Sequence, residues 1–269
     1  MICLAPLVAM LAATFDDGFL VSGGAPRLQT NGTATVRMVS EDIDAKISDH
    51  GVDVTCRFVF RNEGPACTVR MGFPDETPPP DNYSMDSSGR SRVYHGLEGF
   101  RTTVDGRSVR TKIEATTTHF ACFHTKWVHF EAGQRHTVVD RYHHRMSGGV
   151  SAIASEYDPP EREPYCYLKQ FEYILHTGAT WKGPIGSVRI TVKFDRKHMP
   201  GQLRVMSEKE LGQNAFNYPY WPILDRAVVV YSGLPKPTVA GRTLVFETNN
   251  LKPTKQNDLE LYFEYSPYW

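Results

Sequence analysis

The sequence has no surplus of either charge: 30 Lys and Arg balance 30 Asp and Glu. Proteins that live on phosphate contacts show a basic excess or a basic stripe, so nucleic acid is not expected as a partner. Long apolar runs are also scarce. Only Ile2–Phe15 qualifies, and it is too short to span a bilayer. Cysteines number five. There is no dinucleotide glycine fingerprint, no calcium loop and no His-Glu-x-x-His. There is no Gly-x-Ser-x-Gly elbow either. Catalytic triads are recognised by geometry, so that last absence does not dispose of an enzyme by itself.

What is present begins with the apolar N-terminus. Residues 1–15 run into the small residues Ala12 and Ala13 and then Asp16, as a cleaved signal peptide does, although no Lys or Arg precedes the run. Export is therefore expected, to the periplasm, the cell envelope or the exterior, with no membrane span after signal removal. Removing Cys3 with the signal leaves Cys56, Cys67, Cys122 and Cys166, which allow three pairings. Cys56 and Cys67 read as out of register by about four residues, roughly 13 Å along a strand, too far for a disulfide. A Cys122–Cys166 bridge is compatible with the sequence but not required by it. Asn31-Gly-Thr33 and Asn82-Tyr-Ser84 match a short glycosylation pattern that arises often by chance.

Hydrophobic residues make up 41% and aromatics 12%, enough for a packed core and weighted toward strand formers. Alternation of period two recurs along the chain. Val36 and Met38, then Ile43, Ala45 and Ile47, mark a first strand. Val52, Val54, Cys56, Phe58 and Phe60 share a face, as do Cys67, Val69, Met71 and Phe73. Between these two sets "RNEGPA" supplies turn residues, so a hairpin is expected. Asp105-Gly106 is a favoured two-residue hairpin turn, and Ala132-Gly133 separates two more strands. Val188, Ile190, Val192 and Phe194 share one face, and three further strands follow. Ser207 with Glu210 is a capping pair for a short helix.

"HTGATWKGPIGSVRITVKF" places Gly178 and Gly183 at P-loop spacing. Pro184 stands where the phosphate lysine belongs, it lacks a backbone N–H, and a strand follows instead of a helix. Trp181, Gly183 and Pro184 therefore read as a structural turn. The histidines between His95 and His144 invite a metal reading. His124 and His129 lie an odd step apart and face opposite ways, and adjacent His143 and His144 also diverge. His129-Phe-Glu131 matches half a deaminase signature whose cysteine pair is missing. Solvent-facing strand positions account for the cluster, so no metal and no cofactor is expected. "RHTVVDRYHHR" is expected to gain charge on acidification.

The stretches "MVSEDIDAKI", "CRFVFRNEGPACTVRMGFPDE", "TVDGRSV" and "TGATWKGPIGSVRITVKF" together resemble a group of exported bacterial proteins of unassigned function. The first half is also similar in pattern to vault/inter-alpha-trypsin type domains, through Phe58, Phe60, Asn62, Gly64, Met71, Gly72, Phe73 and Pro74. The resemblance implies an envelope or secreted β module and brings no catalytic residues with it.

The expectation is an all-β protein: two mostly antiparallel β-sandwich domains packed together, residues 33–146 and 165–269, joined by 147–164. The expected function is non-enzymatic, an exported β module in cell-envelope or extracellular interaction or scaffolding, with a protein or glycan partner. The alternative is a small-ligand or carbohydrate binder, in which Tyr218, Tyr220 and Trp221 offer rings to a sugar face, or an enzyme of unrecognised type using loop residues.

Overall fold

The computed structural model describes residues 22–29, 35–76, 96–115, 122–151, 166–195, 203–210 and 228–265. The expectations for residues 1–15, for Asn31 and Asn82, and for Tyr218, Tyr220 and Trp221 lie outside the described residues.

The strands are β1 (Ser22–Gly24), β2 (Arg27–Leu28), β3 (Val36–Ser48), β4 (Gly51–Asn62), β5 (Cys67–Glu76) and β6 (Glu98–Val104). They continue as β7 (Arg107–Val109), β8 (Lys112–Ala115), β9 (Cys122–Phe130), β10 (Arg135–His144), β11 (Ser147–Ser151) and β12 (Cys166–Ile174). The last are β13 (Ile185–Phe194), β14 (Arg204–Ser207), β15 (Val228–Ser232), β16 (Thr238–Ala240), β17 (Thr243–Leu251) and β18 (Leu259–Tyr265). They form two sheets packed face to face. The first runs β14-β15-β18-β12-β1-β5-β9-β8, with β11 on β12 and β2 on β5; the second runs β16-β17-β13-β3-β4-β10-β6-β7. The expected all-β sandwich architecture is thus present. Each sheet draws strands from both halves of the chain. The halves meet where β1 pairs with β12 and β3 pairs with β13, both in parallel. The seam on the second sheet is long, running from Ser40 opposite Ser187 to Ile47 opposite Phe194.

Alternation explains which faces are inside. β4 buries Val52, Val54, Cys56, Phe58 and Phe60, while β13 buries Val188, Ile190, Val192 and Phe194. Opposite them stand Met71 and Phe73 of β5, Phe171 and Tyr173 of β12, and Phe263 of β18, all buried in one continuous core. The change of phase between Met38 and Ile43 has a local cause. The β3–β4 register shifts between Met38 and Ser40, a bulge that inserts one residue and turns the next side chains over.

The expected β4–β5 hairpin is not formed. β4 pairs with β3 and β10 in one sheet, and β5 pairs with β1, β2 and β9 in the other, so the chain arches from sheet to sheet. Asn62 shapes the arch: its Nδ2 donates to Pro65 O at 2.6 Å and Glu131 O at 3.1 Å, and its Oδ1 accepts from Gly64 N at 3.1 Å. Two strands with one buried face each satisfy alternation equally well side by side or face to face, so period two does not choose between them. By contrast Asp105 and Gly106 both take positive φ, 49° and 79°, and close the β6–β7 hairpin as their sequence requires. Ser207 and Glu210 exchange the reciprocal bonds of a capping box before residues 208–210, which are helical. No helix among the described residues is long and apolar enough to cross a membrane.

Candidate functional site

Ionisable side chains gather between the sheets, where a β-sandwich is normally apolar. β9 turns Cys122, His124 and Lys126 inward at alternate positions, β5 turns in Asp75, and β10 turns in Asp140, Tyr142 and His144. All seven are buried. A buried charge is tolerated only when paired, and the pairs are found. Lys126 Nζ donates to Asp140 Oδ1 at 2.9 Å and Oδ2 at 3.2 Å, tying the two sheets together. Tyr173 Oη on β12 donates to Glu41 Oε1 on β3 at 2.8 Å, a second tie across the sheets at the seam. Burial pushes the Glu41 carboxyl up to about 8, against the smaller opposing effect of the Tyr173 bond.

Asp75 stands directly opposite Cys122 in the β5–β9 ladder, and His124 lies two residues further along the same face of β9. One ligand-type atom from each, a carboxylate oxygen, a sulfur and a ring nitrogen, lies within 4.8 Å of the other two. His124 Nε2 is 3.3 Å from Asp75 Oδ2. The carboxylate also accepts from Gly96 N at 3.2 Å and Leu97 N at 3.3 Å, which fixes its orientation. The His124 ring stacks on Phe100, centroids 4.2 Å apart and planes 20° apart. Burial, then the charge and hydrogen bond of Asp75, push the Cys122 thiol up to about 12. On β10 burial carries His144 down to about 4; its Nδ1 lies 2.8 Å from Arg145 O, and its Nε2 has no hydrogen-bond partner among the described residues.

The solvent-facing positions expected of the histidines do not hold for His124 and His144, which are both buried. The opposed facing of His124 and His129 is as expected, since His129 is exposed. The signal that marks the cluster is Cys122-x-His124, two donor types sharing one strand face. Cys56, Cys67 and Cys122 are free thiols. β9 is separated from β12, which carries Cys166, by β5 and β1, so the Cys122–Cys166 pairing is not made. Trp181 is buried, donates from Nε1 to Pro26 O at 2.5 Å and packs on Phe60 with centroids 4.6 Å apart. Gly183 takes φ of 66° in the turn that leads through Pro184 into β13.

The outer face of the first sheet carries two features of its own. Near the seam, Ser22 lies opposite Glu76 and Glu172 opposite Glu260. Burial, followed by the charges on Glu76, Glu260 and Asp258, pushes Glu172 up to about 8. At the far end, Trp127 is 61% exposed beside Arg70, whose guanidinium carbon is 5.9 Å from the ring centroid. Arg70 is ion-paired with Glu114 on β8, which is the last strand of its sheet among the described residues.

A family described as a domain of unknown function, DUF4424, matches residues 130–199, from the end of β9 to just past β13. No curated protein matches the chain in sequence. Among solved structures, a candidate nutrient-binding protein from Legionella pneumophila is similar in fold, with a TM-score of 0.62 and 18% identity. The alignment covers 91% of this chain and 70% of that one. Leukotriene A4 hydrolase from Saccharomyces cerevisiae aligns with a TM-score of 0.36 and 10% identity, over 88% of this chain and 30% of that one. At that score the likeness carries no argument.

Proposed function

We propose that this chain is a non-enzymatic interaction module of the cell envelope or exterior, and that it docks a protein partner through the outer face of β5, β9 and β8. The observation that carries this reading is Trp127. A tryptophan 61% exposed on a sheet face leaves a large apolar ring in water. Arg70 stacks against it, and both residue types are enriched where interfaces concentrate binding energy. Among the described residues the neighbouring strand β8 ends its sheet, and an edge strand of this kind can accept an added strand. The interior Lys126–Asp140 pair, by contrast, is fully buried between the sheets. Export is supported by the apolar run at residues 2–15, which carries the small residues Ala12 and Ala13 near its end, ahead of Asp16.

The test places a photo-crosslinking residue at Thr68, beside Trp127 on the same face, in cells that express the whole chain. One discrete crosslinked product is expected, competed by added wild-type chain and reduced at least about tenfold by Trp127→Ser, the scale of a residue contributing about 1.4 kcal/mol. A product indifferent to Trp127→Ser, or none at all, overturns the reading.

A second reading is a small-ligand binder. It is supported by the fold likeness to the candidate nutrient-binding protein. Thermal-shift screening against sugars, amino acids and oligosaccharides separates the two, since only this reading expects a saturable shift with a small molecule.

A further inference from the structure

The geometry points to a divalent metal site of the zinc type built from Asp75, Cys122 and His124. The three come from the paired ends of β5 and β9, and the ladder itself brings them together: Asp75 faces Cys122 across the strands, and Cys122 and His124 share a strand face at a two-residue interval. Their ligand atoms lie within 4.8 Å of one another, and the Asp75–His124 contact is 3.3 Å. In a tetrahedral shell with bonds of about 2.0–2.3 Å, neighbouring ligand atoms stand roughly 3.3–3.7 Å apart. The Asp75–His124 pair already stands at that spacing, and the Cys122 sulfur lies within 4.8 Å of both.

The donor set selects the ion. A thiolate and an imidazole are the ligands of zinc and its borderline neighbours, whereas calcium and magnesium ask for shells of oxygen. One carboxylate and one thiolate together carry two negative charges, which a divalent ion neutralises where burial otherwise makes charge costly. The surroundings resemble the outer shell of a metal centre. Gly96 N and Leu97 N orient the carboxylate, and the Phe100 ring holds the imidazole plane. The thiol is buried, as is the carboxylate, and the imidazole is 3% exposed, so the ion would sit inside the sandwich. Because Asp75 also binds backbone that enters β6, on the opposite sheet, a metal here fastens β5, β9 and the approach to β6 at one point. The fourth position falls to water or a neighbouring group.

Cobalt(II) and zinc are the probes. The purified whole chain is stripped with chelator and titrated with cobalt(II), and the zinc form is examined by X-ray absorption. The expected results are one ion per chain, a thiolate-to-cobalt charge-transfer band in the near ultraviolet, and a zinc shell with a single sulfur among nitrogen and oxygen neighbours. Cys122→Ser should abolish the band and weaken zinc binding beyond the roughly 10–100-fold lost with an outer-shell partner. Cys67→Ser, which alters a thiol outside the cluster, should retain both. A folded wild-type chain that shows no charge-transfer band, or a shell with no sulfur or with two, overturns the site. So does a band that survives Cys122→Ser. The wild-type spectra decide the question even if the serine variant fails to fold.

Discussion

At the scale of single residues, the interior is unusual in the carboxyl it keeps neutral. Glu41 is buried between the sheets, Tyr173 donates to its Oε1, and its Oε2 has no partner among the described residues. Burial raises its carboxyl from 4.5 to about 8. The sign of the pH effect follows. Below about 4.5 folded and unfolded chains both hold the proton, and the stabilisation is fully present. Between 4.5 and 8 the folded chain holds a proton that the unfolded chain has released, so stability falls as pH rises, and the loss is complete once the folded carboxyl ionises. Glu172 shifts in the same direction and adds to the slope. Glu41→Gln keeps an oxygen for Tyr173 and removes the ionisation. Urea unfolding should find variant and wild type close at pH 4.5, and the variant more stable at pH 9 by on the order of 4 kcal/mol. Equal stabilities at pH 9 would refute the assignment.

At the scale of elements, much of the fold was readable. The strand faces of β4 and β13, the Asp105-Gly106 turn and the Ser207–Glu210 cap all follow from local chemistry that the sequence states outright. The arch between β4 and β5 was not readable, because alternation reports burial and says nothing of pairing partners. The Asp75–Cys122–His124 cluster was hidden for the same reason. Asp75 and Cys122 are distant in sequence, and only the β5–β9 register makes them neighbours. Gly186 shows how closely elements approach at the seam. A Cβ at this position would lie 2.3 Å from Val39 O, a backbone atom of the β3 bulge that cannot swing aside. Gly186→Ala should therefore destabilise the protein by about 1–3 kcal/mol in denaturant unfolding. An unchanged midpoint would mean that the bulge and β13 stand further apart.

At the scale of the whole molecule, both sheets run unbroken through both halves of the chain. Among the described residues the main core is a contiguous cluster, from Val36 and Phe60 to Phe246 and Phe263. Separating the halves would strip β3 and β13 of eight paired positions and leave Glu41 without Tyr173. Cooperative units follow shared burial and shared hydrogen bonding, so the halves should melt together. Calorimetry is expected to give one transition whose van't Hoff and calorimetric enthalpies agree. Two resolved transitions would show that the seam is weaker than its register implies.

That seam also sets a timetable during synthesis. β3 leaves the ribosome about 150 residues before β13, the strand that completes its edge. At about 5–20 residues per second, β3 waits roughly 8 to 30 seconds for its permanent neighbour. Throughout that interval a thirteen-residue ribbon, hydrogen-bonded on one side by β4, offers its other side to any extended polypeptide nearby.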